Sequence, residues 1–206
     1  MDIIDITRKI REGMPVYPGN PEPEIEKYRE IPEDSTTESE ISMGSHTGTH
    51  VDAPQHVFED GETVDQMDLE KFYGKCQVLD LTSAGREINR EILQQKNITE
   101  DIILLKTENS EKNFEEFRED FAYLTLSGVE YLIENGVETV GIDYLSLVEF
   151  DGGEEAEEAH QKANEKMAVI EGLELSSAEE KNYTFSGMPL KMETDGAQLR
   201  AVLIEE

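Results

Sequence analysis

The chain of 206 residues is long enough for one domain, or for one domain with a small lobe, whose core needs no disulfide. Its 48 acidic and 18 basic residues give a formal net charge of −30, which argues against nucleic acid and anionic membrane surfaces as partners. A single cysteine, Cys76, excludes a disulfide framework, and no apolar run approaches the roughly 20 residues that a membrane helix requires.

Short strands alternate with helices along the chain. A loop with three prolines and two glycines, over residues 13–21, follows the first strand. Apolar or alternating runs predict strands over residues 2–7, 24–31, 76–81, 101–106, 139–143, 167–171, 185–192 and 198–204. Helical spacing predicts helices over residues 67–72, 89–95 and 126–135, and a polar helix or ordered loop over residues 154–166. The pattern predicts an α/β fold with a mixed sheet, in a single domain over residues 1–206.

The first ten residues alternate polar and apolar side chains, and they lack the basic start and apolar stretch of a signal peptide. We interpret Cys76 as a small strand residue in a reducing compartment rather than as a reactive thiol. Both observations lead us to expect a cytoplasmic protein.

Three of the four histidines lie within eleven residues, together with one aspartate. These are His46, His50 and His56, with Asp52 between the last two. All four residues stand at even positions, and even positions of an extended segment face the same side. Gly48 allows the backbone to come close to a bound ion. We therefore predict a common face that carries three imidazoles and a carboxylate.

Imidazole nitrogen and carboxylate oxygen together suit zinc, manganese or ferrous iron. No cysteine lies near the segment, which excludes a structural zinc site built from thiolates. A site with few protein ligands keeps a position open for water, as catalytic metal sites do. The alternative is a group of hydrogen-bonded loop histidines that bind no metal.

The segment from Ser45 to Phe58 resembles the signature of the metal-dependent cyclase-like hydrolases, a family that includes bacterial kynurenine formamidase and isatin hydrolase. Residues 4–7, 14–21, 140–146 and 195–204 are similar to other parts of that family, so the resemblance covers nearly the whole chain. It implies a barrel-like mixed β-sheet core flanked by helices, a swivelling β/β/α arrangement. It also implies hydrolysis of the carbonyl–nitrogen bond of a small amide, such as an N-formylkynurenine-type arylformamide.

The resemblance implies a centre with two divalent metal ions, for which we expect zinc, with manganese as the alternative. His46, His50 and Asp52 match the ligands of the first metal, and Asp52 bridges to the second. His160 and Glu171 match the remaining ligands of the second metal. All four histidines receive a role once His56 is included as the catalytic residue.

His56 matches the histidine that exchanges protons with water and the leaving nitrogen. In kynurenine formamidase, the loop that corresponds to residues 16–19 offers a tryptophan for stacking on an aryl substrate. Tyr17 stands there in this chain, which has no tryptophan, and can stack in its place. The resemblance further implies a homodimer or homotetramer.

Two other functions fit the same residues. A cupin-like oxygenase would hold one ferrous iron, so the number of metals and a dependence on oxygen distinguish it from the hydrolase. A metal-binding module without catalysis would have no need of His56 as a histidine that is not a ligand.

The acidic residues cluster in stretches that we expect to be exposed, such as residues 154–158. We hypothesise that the negative charge is an adaptation to high salt, where counterions screen the repulsion between carboxylates. The midpoint of thermal unfolding should then rise between low and molar salt. A midpoint that does not rise with salt would contradict this explanation.

Overall fold

The computed structural model describes residues 1–205. The strands are β1 (Asp2–Asp5), β2 (Glu24–Arg29), β3 (Glu38–Ser42), β4 (His50–Asp52), β5 (Tyr73–Leu81), β6 (Glu87–Ile88), β7 (Ile102–Thr107), β8 (Tyr123–Leu124), β9 (Thr139–Ile142), β10 (Ala168–Glu171), β11 (Asn182–Ser186), β12 (Gly196–Gln198) and β13 (Val202–Glu205). The helices are α1 (Arg90–Leu93), α2 (Leu126–Glu134) and α3 (Gly153–Lys166).

Within these residues, one curled sheet contains nine strands in the order β1-β13-β11-β5-β7-β9-β10-β4-β12. The central strands β5, β7, β9 and β10 run parallel, and antiparallel strands flank them on both sides. The hairpin of β2 and β3 and the short pair of β6 and β8 lie outside this sheet. The prediction of an α/β fold with a mixed, barrel-like sheet is confirmed.

Both faces of the sheet are buried, as the apolar runs of the central strands require. In β7, Ile102 and Leu104 face one core cluster, whereas Ile103 and Leu105 face the other. The second cluster is covered by α2 and α3. This double burial fixes the register of β7, because a slip by one residue would exchange its two faces.

The polar segment after residue 153 forms α3, in agreement with the helical alternative of the prediction. Its acidic first turn suits the positive end of the helix dipole. Ala159 and Ala163, four residues apart, face the core. His160 follows Ala159 and therefore lies at the border between the core face and the site. Among the described helices, none combines the length and apolarity needed to span a membrane.

Two predicted strands at the end of the chain are wrong in extent. The strand expected over residues 185–192 spans Asn182–Ser186, and Pro189, which has no N–H donor, joins the sheet only through an isolated bridge to Leu199. The strand expected over residues 198–204 is divided into β12 and β13. β12 pairs with β4 at one edge of the sheet, while β13 pairs with β1 and β11 near the other edge.

β4 lies between β10 and β12, and this position brings distant parts of the chain together. His50 is in register with Glu171 of β10 and with Gln198 of β12. Directly after Glu171, Gly172 adopts a φ of +70° and accepts a hydrogen bond of 2.7 Å from the hydroxyl of Thr49. A Cβ at Gly172 would overlap the carbonyl oxygen of Gly48, so only glycine permits this approach.

We predict that Gly172→Ala destabilises the fold by at least about 3 kcal/mol, because it adds a backbone clash to an unfavourable φ. Gly136→Ala is the matched control: Gly136 has a φ of +78°, but a Cβ there meets nothing within 4 Å. It should cost only about 1 kcal/mol. Chemical denaturation measures both values, and equal losses in the two variants would contradict the close approach as the cause.

Candidate metal centre

The site lies where β4 meets the end of β10 and the middle of α3. His50 and Asp52 alternate with Val51 along β4 and share one face, as the parity of the sequence predicted. Glu171 ends β10 directly opposite His50. His160 comes from α3, and its Nε2 lies 3.1 Å from Oδ2 of Asp52. A strand early in the chain thus shares one cluster with a helix and a strand that follow much later in the sequence.

The other two clustered histidines are not on an extended segment, and this part of the prediction is wrong. His46 lies in a turn before β4, where Gly48 adopts a φ of +70°. His56 ends a 3-10 helix over Pro54–His56, because proline at its first position favours a helical start. Both rings still reach the common face, and their centroids lie 4.1 Å apart.

Asp52 is the centre of the cluster. Its Oδ1 lies 2.8 Å from Nδ1 of His46 and 3.3 Å from Nε2 of His50. Its Oδ2 faces His160 instead. The two oxygens of one carboxylate therefore face two different groups of imidazoles, which is the geometry that a bridging ligand requires.

Glu171 is a second buried carboxylate beside Asp52. Its Oε1 accepts a hydrogen bond of 2.6 Å from the backbone N–H of Leu147, and its Oε2 lies 3.6 Å from Nε2 of His50. Burial and the charge of Asp52 raise the pKa of Glu171 well above its usual value. For Asp52, burial alone would raise the pKa, but hydrogen bonds from His160 and His46 lower it well below its usual value.

The residues fit a divalent cation. Nδ1 of His50 lies 3.1 Å from the carbonyl oxygen of Gly48, so it carries the proton and Nε2 keeps its lone pair. That Nε2 is buried and, despite the 3.3 Å to Asp52, its orientation gives it no hydrogen bond within the described part of the chain. A lone pair between two buried carboxylates is a costly arrangement unless a cation binds the nitrogen and both carboxylates.

The geometry groups the candidate ligands in two triads that share Asp52. One triad contains His46 and His56, and the other contains His50 and Glu171, with all ligand atoms of a triad within 4.8 Å of one another. This grouping differs from the one that the resemblance implies, in which His56 is not a ligand and His50 joins His46.

The two loop histidines differ in protonation. Burial by itself would lower the pKa of His46, but Asp52 and Asp195 together raise it to about 9. Burial lowers the pKa of His56, and the neighbouring His46 and His160 lower it further, while Asp52 acts in the opposite direction. His56 is therefore a neutral base near pH 7.

A cavity of about 310 Å³ opens next to the cluster. His46, His56, His160 and Glu171 line its inner side. The remaining walls come from loops and consist of Tyr17, Pro18, Asn20, Leu145, Ser146 and Val148. The cavity has the size of a site for a small organic molecule.

Tyr17, the residue expected to contact the substrate, lies in this cavity wall. Its ring packs edge-to-face against Phe117 and Phe150, with centroid distances of 5.5 and 5.8 Å. This aromatic support holds Tyr17 as part of the wall and limits its movement.

The sequence did not single out Asp195 as a site residue, although its carboxylate lies within the cluster. Oδ2 of Asp195 is 2.8 Å from Nε2 of His46 and 3.4 Å from Nδ1 of His56. A gap of 149 residues separates Asp195 from His46, so no local spacing could connect them. The available signals were its place at the head of residues 195–204, which resemble part of the family, and the glycine that follows it at the start of β12.

Comparisons with known proteins find relatives that cover nearly the whole chain. The Cyclase family model, described as "Putative cyclase", matches residues 4–148. A kynurenine formamidase of Erythrobacter litoralis is 32% identical over 207 residues, covering 98% of this chain and 94% of that protein. Another relative, the kynurenine formamidase of Salinibacter ruber, is 30% identical over 210 residues, and the match covers 97% of that protein.

Solved structures share the fold over the whole chain. A potential metal-dependent hydrolase with cyclase activity has a TM-score of 0.85 and 33% identity, with 98% of this chain and 96% of that chain covered. Isatin hydrolase A from Labrenzia aggregata has a TM-score of 0.84 at 21% identity, covering 100% of this chain and 94% of that chain. The second likeness concerns the fold alone.

Proposed function

The chain belongs to the Cyclase family, and we propose that it is a metal-dependent hydrolase that cleaves the carbonyl–nitrogen bond of a small amide. The family relationship agrees with the resemblance of the histidine segment. Two kinds of observation support the proposal: the names of relatives that span the whole chain, and a buried ligand cluster that opens into a cavity.

One observation carries the proposal: the buried carboxylate of Asp52 faces imidazoles with both of its oxygens. His46 and His50 approach Oδ1, and His160 approaches Oδ2. We propose that this cluster would hold two divalent ions, the first with His46, His50 and Asp52, and the second with Asp52, His160 and Glu171. Zinc is the expected metal and manganese the alternative, because both accept nitrogen and oxygen ligands.

When bound, a pair of divalent ions would lower the pKa of water toward about 7 and would stabilise negative charge on a carbonyl oxygen. We propose His56 as the proton carrier. Its Nδ1 lies 3.4 Å from Asp195, which leaves Nε2 as the nitrogen that accepts a proton from water. As the carbon–oxygen bond forms and the carbon–nitrogen bond breaks, His56 passes this proton to the leaving nitrogen.

We propose an arylformamide of the N-formylkynurenine type as the substrate. The cavity has room for one aromatic ring with a short side chain, and Tyr17 offers an aromatic face or edge on its wall. Val148 and Leu145 add apolar surface there. The names of the relatives favour this class of amide and give no support to a ferrous oxygenase or to a silent metal-binding module.

We further propose a single-domain enzyme over residues 1–206 that works as a homodimer or homotetramer in the cytoplasm. A buried, unpaired Cys76 suits a reducing compartment. Burial raises the pKa of this thiol to about 12, so it is not a reactive nucleophile.

The experiment that tests the function is purification without chelator, followed by metal analysis, light-scattering mass and an activity screen. N-formylkynurenine, isatin and simple formamides are the substrates to compare. We expect two zinc or manganese ions per chain and hydrolysis that proceeds without oxygen. One iron per chain with oxygen-dependent turnover would instead identify an oxygenase.

Asp52 and His56 make a matched pair of predictions. Asp52→Ala should lose metal, because it removes the carboxylate between the two groups of imidazoles. His56→Ala should keep the metal and lower kcat by roughly 10²–10⁴-fold, because it removes only the proton carrier. Metal content and steady-state kinetics measure these effects, and circular dichroism controls for folding. Full metal occupancy in Asp52→Ala, or metal loss in His56→Ala, would contradict the assigned roles.

Tyr17→Ala should discriminate between substrates. We expect KM to rise by about 2–10-fold for an arylformamide, because an aromatic pair contributes about 0.5–1.5 kcal/mol. KM for an aliphatic formamide should stay within about twofold, and Tyr17→Phe should behave like the native protein with both substrates. An equal rise in KM for both substrates would exclude ring packing as the role of Tyr17.

A further inference from the structure

A single carboxylate oxygen contacts both loop histidines of the site. Oδ2 of Asp195 lies 2.8 Å from Nε2 of His46 and 3.4 Å from Nδ1 of His56. The two imidazole rings lie side by side, with centroids 4.1 Å apart and planes tilted by 42°. Asp195 therefore contacts a proposed metal ligand and the proposed proton carrier at the same time.

The carboxylate of Asp195 is itself held in place. The hydroxyl of Ser45 donates a hydrogen bond of 3.1 Å to Oδ1, which fixes the rotation of the carboxylate. The backbone carbonyl of Asp195 accepts a hydrogen bond of 2.9 Å from the N–H of Ala53. Residues on both sides of β4 thus tie Asp195 to the histidine segment.

The residue after Asp195 shapes the same contact. A Cβ at Gly196 would lie 2.7 Å from Cε1 of His46, so the ring of His46 rests directly on the backbone at this point. Gly196 is also in register with Asp52 in the pairing of β12 and β4. The backbone at the start of β12 therefore packs against the ring of His46 and limits its position.

The contacts select opposite tautomers in the two rings. A neutral imidazole has one N–H, and the nitrogen that donates to a carboxylate carries it. His46 donates to Asp195 through Nε2 and to Oδ1 of Asp52 through Nδ1; a metal ion would replace only the Nδ1 proton, so Nε2 keeps its proton and the lone pair of Nδ1 faces the ion. Nδ1 of His56 lies 3.4 Å from the same oxygen, and a proton on Nδ1 faces that carboxylate, which leaves the lone pair on Nε2. One ring is prepared to bind a metal, and the other is prepared to accept a proton.

We propose that Asp195 is a positioning residue that holds His46 and His56 in these opposite tautomers and orientations. The inference rests on the proposed function, because it assigns the two rings their tasks. Carboxylates that hold a metal-bound histidine typically contribute 10–100-fold to metal affinity or activity. Asp195 differs from such carboxylates because the oxygen that contacts the ring of His46 also contacts the proton-carrying ring of His56.

The test compares Asp195→Ala and Asp195→Asn with the native protein and with Glu193→Ala. Glu193→Ala is the control, because it removes the same charge from an exposed side chain two residues away. Zinc affinity is measured by chelator competition, and kcat and KM are measured at saturating zinc. Asp195→Ala should weaken zinc binding by about 10–100-fold and lower kcat with little change in KM.

Asp195→Asn should recover at least about tenfold of the lost zinc affinity, because its amide oxygen can still accept a hydrogen bond from Nε2 of His46. Glu193→Ala should match the native protein in every measurement. If Asp195→Asn is no better than Asp195→Ala, or if Glu193→Ala shows the same loss, the contribution is bulk charge and the proposal fails.

Long-range proton–nitrogen spectra of the zinc-loaded protein give a readout that is independent of turnover. His46 should carry its proton on Nε2, and this proton should be protected from exchange with water. In Asp195→Ala the protection should be lost. A proton on Nδ1 of His46 in the native protein would overturn the proposal.

A double-mutant cycle separates the two contacts. At saturating zinc, Asp195→Ala should lower kcat by about tenfold in the native background and by less than about twofold in His56→Ala. Equal losses in both backgrounds would show that Asp195 does not act through His56.

The outcomes distinguish the two proposals. A native protein that binds no zinc and hydrolyses no amide refutes the proposed function. A native protein that does both, with an Asp195→Ala variant that equals it in zinc affinity and kcat, refutes only the role of Asp195.

Discussion

The arrangement of the site depends on one electrostatic constraint, the burial of two carboxylates side by side. Asp52 and Glu171 are both removed from water, and within residues 1–205 the carboxylate of Glu171 accepts one hydrogen bond, from the backbone N–H of Leu147. In a low-dielectric environment, two neighbouring negative charges are tolerated only when cationic groups compensate them. The imidazoles that surround Asp52 supply part of this compensation, and the buried lone pair of His50 is placed to bind a cation that would supply the rest.

The fold serves this constraint through the position of one short strand. β4 is three residues long, yet it pairs with β10 on one side and with β12 on the other. The first pairing brings Glu171 to His50, and the second brings Asp195 to the histidine segment. The close approach of Gly172 to Gly48 brings the two backbones into direct contact beside the ligands His50 and Glu171. Large parts of the sheet thus support a cluster of a few side chains.

The sequence predicted which residues meet at the site better than it predicted the backbone geometry that brings them together. The clustering of His46, His50 and His56 is local information, and the three rings do meet. The extended segment on which the parity argument depends spans only His50–Asp52, because a turn orients His46 and a 3-10 helix orients His56. His160 and Glu171 were assigned through resemblance, since no spacing rule connects a helix and a strand so remote from β4. Asp195 was missed for the same physical reason.

The division of the strand predicted over residues 198–204 into β12 and β13 was also missed, because an apolar run does not reveal which edge of the sheet it joins.

The pairing order of β4 also has a consequence for biosynthesis. Both of its neighbours follow β4 much later in the sequence, with β10 at Ala168–Glu171 and β12 at Gly196–Gln198. Among the described residues, the first strand, β1, likewise pairs only with β13. On the ribosome, the histidine segment therefore emerges long before any partner strand exists, and such non-local pairing is slow to form. Ion capture by the complete centre can only follow the emergence of β10 and β12 from the exit tunnel, so the imidazoles of the nascent polypeptide stay exposed to solvent until then.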